Sequence, residues 1–190
     1  LVEEVRFNKG REAFEQNRAS EAGKMLGAIP SGSRFFAQAH YLLGTIAVKS
    51  GDPASAQAEF SKVFEPSALG QSAEMWKDIS TQFTTHWGSV LKVSFDTDIV
   101  SESRKVGELS ILGLARVAYQ QKDFKKALEL YSRIPKTSKY YSRAALEKIW
   151  TLLSLNQHQE AEKSALEFSA VDSSFEAVEA RVVRGLVLVD

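Results

Sequence analysis

Residues 109–168 read LSILGLARVAYQQKDFKKALELYSRIPKTSKYYSRAALEKIWTLLSLNQHQEAEKSALEF, and this stretch decides the fold. It holds two helical hairpins in one register. Ala127 recurs as Ala161, Lys126 as Glu160, Tyr131 as Ala165 and Ile134 as Phe168, each 34 residues further on. A fixed shift of that size marks stacked helix-turn-helix units, none of which can bury its apolar face alone. Such an array presents a surface to another macromolecule.

Working outward, the same register returns at the start of the chain. Val2, Val5, Gly10, Ala13 and Phe14 share a helical stripe that Asn17 stops. A second helix is predicted from about Ala19 to Ile29, with Ala22, Leu26 and Ile29 facing inward and Pro30 closing it. The next pair opens with a helix over about 33–49, carrying Tyr41, Leu43, Gly44 and Ala47. Ser50-Gly51-Asp52-Pro53 follows as a compact junction: Gly51 suits a left-handed residue, Asp52 a cap, Pro53 a first turn. Gly10 maps onto Gly44, Ala22 onto Ala56, Leu26 onto Phe60 and Ile29 onto Val63, again at 34. Small residues at these points let paired helices approach, and the larger ones fill the space between hairpins.

Residues 1–65 and 108–173 therefore each read as two hairpins, and 66–107 departs from the pattern. Ala73, Trp76, Phe83, Trp87, Val90 and Leu91 predict one amphipathic helix over about 71–91. An irregular loop over 93–100 follows, with Ser101 or Ser103 capping the next helix. Two readings stay open here: the aromatics are the core of a degenerate repeat, or the segment is an insertion that contacts a partner. From about Ser174, residues 174–190 begin a further helix with Phe175, Val178, Val182, Val183, Leu186 and Val187. So apolar an end needs a cover: another repeat, a second copy of the chain, or a partner.

The pattern resembles the tetratricopeptide repeat family. Leu43-Gly44, Ala56 and Phe60 match it in the second hairpin, and Leu114-Ala115, Phe124, Ala127 and Tyr131 in the third. Leu152, Ala161 and Phe168 match loosely in the fourth; the first has Gly10, Ala22 and Leu26 but Ala13 where an aromatic is usual. The resemblance implies an all-α, right-handed superhelix of stacked antiparallel helix pairs, interrupted by the irregular central segment. It also implies a concave groove lined by the first helices. Carried over by register, the groove residues are Phe7, Arg11, Phe14, Tyr41, Thr45, Val48, Leu112, Arg116, Tyr119, Arg143, Leu146 and Trp150. Aromatics with a few arginines are the composition of interface hot spots, and arginine can fork onto carboxylates of an acidic partner. The family's clamp for C-terminal chaperone tails is missing, since Phe7, Arg11 and Leu42 stand where its lysines and asparagines would be.

Composition restricts the alternatives. The 190 residues are 44% hydrophobic and 25% charged, as in folded proteins. Lysine and arginine (24) balance aspartate and glutamate (24), so the whole-chain basic footprint of a nucleic-acid binder is missing. The charge is uneven locally: residues 122–143 carry seven basic side chains against two acidic ones, a strip that would steer an acidic partner. With no cysteine, disulfides, thiolate metal sites and cysteine nucleophiles are excluded. No apolar run is long enough to span a membrane. The chain opens on Leu1 without a leader and reads as trimmed or processed.

His40, His86 and His158 fall on three different hairpins without ligand spacing, and no phosphate loop or nucleophile elbow occurs. His40, beside Tyr41, reads as a hydrogen-bonded core histidine. No cofactor or metal is expected, and the chain reads as no enzyme. The expected function is protein–protein interaction, as an adaptor or assembly scaffold gripping a peptide or protein segment. The rivals are a ligand-responsive sensor and a self-assembling structural protein, the latter through the apolar last helix. The plain loops resemble those of bacterial proteins, pointing to a soluble protein of the cell envelope, periplasm or cytoplasm.

Overall fold

The structure, a computed structural model, describes residues 2–64 and 97–187. All the regular secondary structure among them is α-helix: α1 (Val2–Glu15), α2 (Ala19–Gly27), α3 (Phe36–Lys49), α4 (Pro53–Phe64), α5 (Thr97–Gln120), α6 (Phe124–Ser132), α7 (Tyr141–Ser154), α8 (His158–Val171) and α9 (Phe175–Val187). The helix expected over 71–91 lies outside the described residues. Where an irregular loop was expected up to Val100, α5 is already helical from Thr97. No glycine or proline interrupts 95–106, so nothing breaks the helix on that side.

The four turns inside the hairpins are copies of one another. Asn17, Gly51, Lys122 and Asn156 have φ of 57°, 72°, 62° and 57° and occupy the same register position. In each turn the following residue's N–H reaches back across the helix end: Arg18 to Ala13 O, Asp52 to Ala47 O, Asp123 to Ala118 O and Gln157 to Leu152 O, at 2.8–2.9 Å. The left-handed residue itself donates to Phe14, Val48, Tyr119 or Leu153. This double bond pattern satisfies the last carbonyls of a helix and reverses the chain within two residues. Lys122, with a Cβ, takes the same conformation at a steric cost that Gly51 avoids.

The connector between hairpins is also used twice. Ile29-Pro30-Ser31-Gly32-Ser33-Arg34-Phe35-Phe36 corresponds to Ile134-Pro135-Lys136-Thr137-Ser138-Lys139-Tyr140-Tyr141. Ser33 N–H donates to Pro30 O and Ser138 N–H to Pro135 O, both at 2.9 Å. The hydroxyls of Ser33 and Ser138 then accept from the N–H two residues on. Arg34 lies over Phe35 at 4.6 Å and Lys139 over Tyr140 at 4.9 Å. These residues form turns, so α3 begins at Phe36 rather than near Ser33.

The chain divides into two compact units, residues 1–46 with 58–110, and residues 47–57 with 111–190. In the first, α1 packs on α2, and Phe7, Ala13, Ala22, Leu26, Ile29 and Ala39 form a buried core. In the second, α7 packs on α6, α8 and α9 around Leu146, Ile149, Leu152, Ala161, Ala165, Phe168 and Val183. Gly10 and Gly44 sit where first and second helices cross. A Cβ on Gly10 would stand 2.8 Å from Leu26 Cδ2, and one on Gly44 2.6 Å from the Phe60 ring. Both distances are shorter than packed carbon atoms tolerate.

Candidate functional site

The second unit brings several of the expected groove residues onto two neighbouring stripes. Leu112, Arg116 and Tyr119 follow helical spacing on α5, and Arg143, Glu147, Trp150 and Ser154 do so on α7. Side-chain bonds join the helices like rungs. Arg116 donates from Nε to Glu147 Oε2 at 2.9 Å and from Nη2 to Glu147 Oε1 at 2.6 Å. Tyr119 Oη meets Ser154 Oγ at 3.0 Å. Arg143 lies 3.6 Å from Glu147 and 3.9 Å from Glu176 at the start of α9. Residue numbers rise together across these rungs, so α5 and α7 run side by side in the same direction.

Glu147 is the hub of this arrangement. Its carboxylate takes the two guanidinium contacts, and the buried phenol of Tyr131 also bonds to it. Burial, and then the adjacent Glu147 charge, push the Tyr131 phenol well above its ordinary pKa. Tyr131 therefore stays a donor throughout the accessible pH range. The forked Arg116–Glu147 bond holds both side chains in one geometry.

The structure distributes the other expected residues unevenly. Phe7, Leu112 and Leu146 are 7%, 4% and 2% exposed, so as core residues they offer a partner nothing, a correction to their place in the groove. Phe7 instead stacks on Phe35 with ring centroids 4.8 Å apart. The physical reason is that a large apolar residue on a first helix is drawn toward the adjacent hairpin before it meets solvent. Phe14 is half-buried against the same core, and Arg11 lies beside Glu15 at 3.9 Å. Tyr41 is half-buried, tilted against Phe60 at 5.9 Å, and Thr45 Oγ1 donates to Tyr41 O at 2.9 Å. Val48 and Trp150 are each 39% exposed.

The arginines differ from expectation in one respect. Read alone, Arg11, Arg116 and Arg143 offered forks for an acidic partner, yet each has an intramolecular carboxylate within 4 Å. An incoming carboxylate would have to displace Glu147, the acceptor for three groups. Glu147, Ser154, Glu176 and Tyr131 were not singled out from the sequence. The available signal was the four-residue spacing from Arg143 to Glu147, a stabilising helix pair.

His40 is buried and bonds through Nδ1 to Glu59, which also takes Lys62 Nζ at 2.8 Å. Burial alone would raise the Glu59 pKa, but the bonds from Lys62 and His40 bring it below its usual value. His86 lies outside the described residues. Among the described residues no three of His, Asp and Glu converge as a metal site requires, and no helix is long and apolar enough to cross a membrane. No protein-family profile and no curated protein sequence matches this chain.

Proposed function

We propose that the chain is a non-catalytic protein-interaction module of tetratricopeptide-like build, an adaptor or scaffold gripping a peptide or protein segment on its first helices. The binding face would be the α5–α7 stripe pair, with Trp150 as the anchor. Trp150 is the observation that carries this reading. Its large side chain is 39% exposed on a stripe whose neighbours are fixed by bonds to the adjacent helix. An exposed aromatic on a surface ordered in advance is how hot spots gain affinity at small entropic cost.

The charges beside it refine the partner. Arg116 and Arg143 are balanced by Glu147 and Glu176, so the face is locally neutral. A segment that inserts an apolar side chain beside Trp150, with few charges of its own, fits better than an acidic tail.

The test is cross-linked capture from a lysate of the source organism, with the chain and its Trp150→Ala variant compared directly. The variant is expected to keep its thermal stability and lose the captured protein. Equal capture by both would place binding elsewhere and end this reading.

A further inference from the structure

α9 carries a second surface, distinct from the Trp150 face. Phe175, Val178, Val182 and Leu186 follow one another at helical spacing and are 78%, 47%, 60% and 60% exposed. The opposite side of the same helix, Ala177, Ala180 and Val183, is at most 2% exposed. This helix is thus buried on one face and apolar on the other. An isolated exposed valine would need no explanation, but four large apolar residues in one line do.

The chain's own register shows what such a line is shaped to hold. Thirty-four residues earlier the equivalents of Phe175, Val178 and Leu186 are Tyr141, Ala144 and Leu152 on α7. There Ala144 and Leu152 are 2% and 4% exposed, and the Tyr141 ring meets Phe168 of α8 edge-on at 6.1 Å. Ala39 and Ala47 on α3 repeat the burial, at 0% and 8%. On α9 the positions stay apolar and open.

We infer that the Phe175–Leu186 line is a docking face for one amphipathic helix of another polypeptide, bearing the same apolar pattern as this chain's second helices. That pattern is specific. Ala22, Ala56, Ala127 and Ala161 are buried alanines, each followed seven residues later by Ile29, Val63, Ile134 or Phe168. The crossings at Gly10–Leu26 and Gly44–Phe60 set the second helix antiparallel to the first. The incoming helix therefore places its alanine near Leu186 and its large residue against Phe175. Among the described helices, α2, α4, α6 and α8 already bury these residues within their own hairpins, so a second copy has no such helix to lend.

The experiment is a titration of the whole chain with a stapled, fluorescent peptide of residues 157–172, the α8 sequence, followed by anisotropy and paired with light scattering of the chain alone. Saturable binding is expected, weakened at least about tenfold (about 1.4 kcal/mol) by Val182→Glu and unchanged by Trp150→Ala. Val182 is exposed, so that variant keeps the fold, which its unchanged melting temperature would verify. No saturable binding, or binding indifferent to Val182→Glu, overturns the inference. A dimer that Val182→Glu dissolves also overturns it, because the cover is then a second copy. Loss of peptide binding with Trp150→Ala would instead place the peptide on the other face, again overturning it.

Discussion

The hairpin of α3 and α4 and the hairpin of α7 and α8 solve one packing problem with opposite choices. At the crossing of the first, glycine stands on the leading helix and phenylalanine on the following one: Gly44 and Phe60. At the same register in the other, Ile149 and Ala165 reverse the sizes, and both are buried at 1% and 0%. Gly10 with Leu26 follows the first arrangement. What is held constant is the volume filled between two helices at a fixed approach, not the residue at either position.

The largest effect should come from emptying that volume. Phe60→Ala leaves a void beside Gly44 that no neighbour can fill, and we expect a loss of about 3–5 kcal/mol by chemical denaturation. Ile149→Ala should lose about 2–5 kcal/mol at the other crossing. The double variant Ile149→Ala with Ala165→Leu should recover part of that loss. A double change no better than the sum of its singles would show that the two positions do not share a space.

Overfilling comes next and separates the two glycines. Gly44→Ala pushes a methyl group into a rigid ring, costing about 1–3 kcal/mol against a helix-propensity gain of about 1 kcal/mol. Gly10→Ala meets the flexible end of Leu26 and should be closer to neutral. Equal melting temperatures for the two variants would break the comparison.

Smaller effects test the turns. Asp123 caps α6 by accepting from Lys126 N–H at 3.1 Å, whereas Gln157, its equivalent before α8, makes no side-chain cap bond. Asp123→Ala should cost about 1 kcal/mol, and Gln157→Asp should gain a similar or smaller amount in thermal unfolding. The acid limb gives a last contrast. The Glu59 pKa is depressed in the folded chain, so its stabilisation is present above the ordinary glutamate value near 4.5 and fades as pH falls through the folded value. Glu59→Gln should therefore lower stability at neutral pH and flatten the decline below about pH 4.5, read from unfolding curves across pH.

Turns and hairpins were legible early because their causes are local. Gly51, Asp52 and Pro53 each favour the conformation they adopt whatever lies beyond the hairpin. The paired connectors starting at Ile29 and Ile134 were equally readable, but comparison confined to one consensus passed over their shared Ile-Pro and serine-aromatic pattern. The onset of α5 was misplaced because serines that can cap a helix do not oblige it to start there.

The candidate face was less legible. Its arginines and aromatics were placed on the correct helices, but their state depends on partners more than thirty residues away. Arg116 and Glu147 are 31 residues apart and meet only once α5 and α7 lie together. The same stacking took Phe7, Leu112 and Leu146 out of solvent and left Trp150 in it.

By itself, the sequence determined the helices, their reversals and the 34-residue register, because these follow from backbone preferences and apolar spacing repeated along the chain. Only the tertiary structure decided which equivalent positions are buried, which charges are already matched and which apolar line remains open. Those outcomes depend on what stands on the other side of each helix, and spacing along one chain segment carries no record of that.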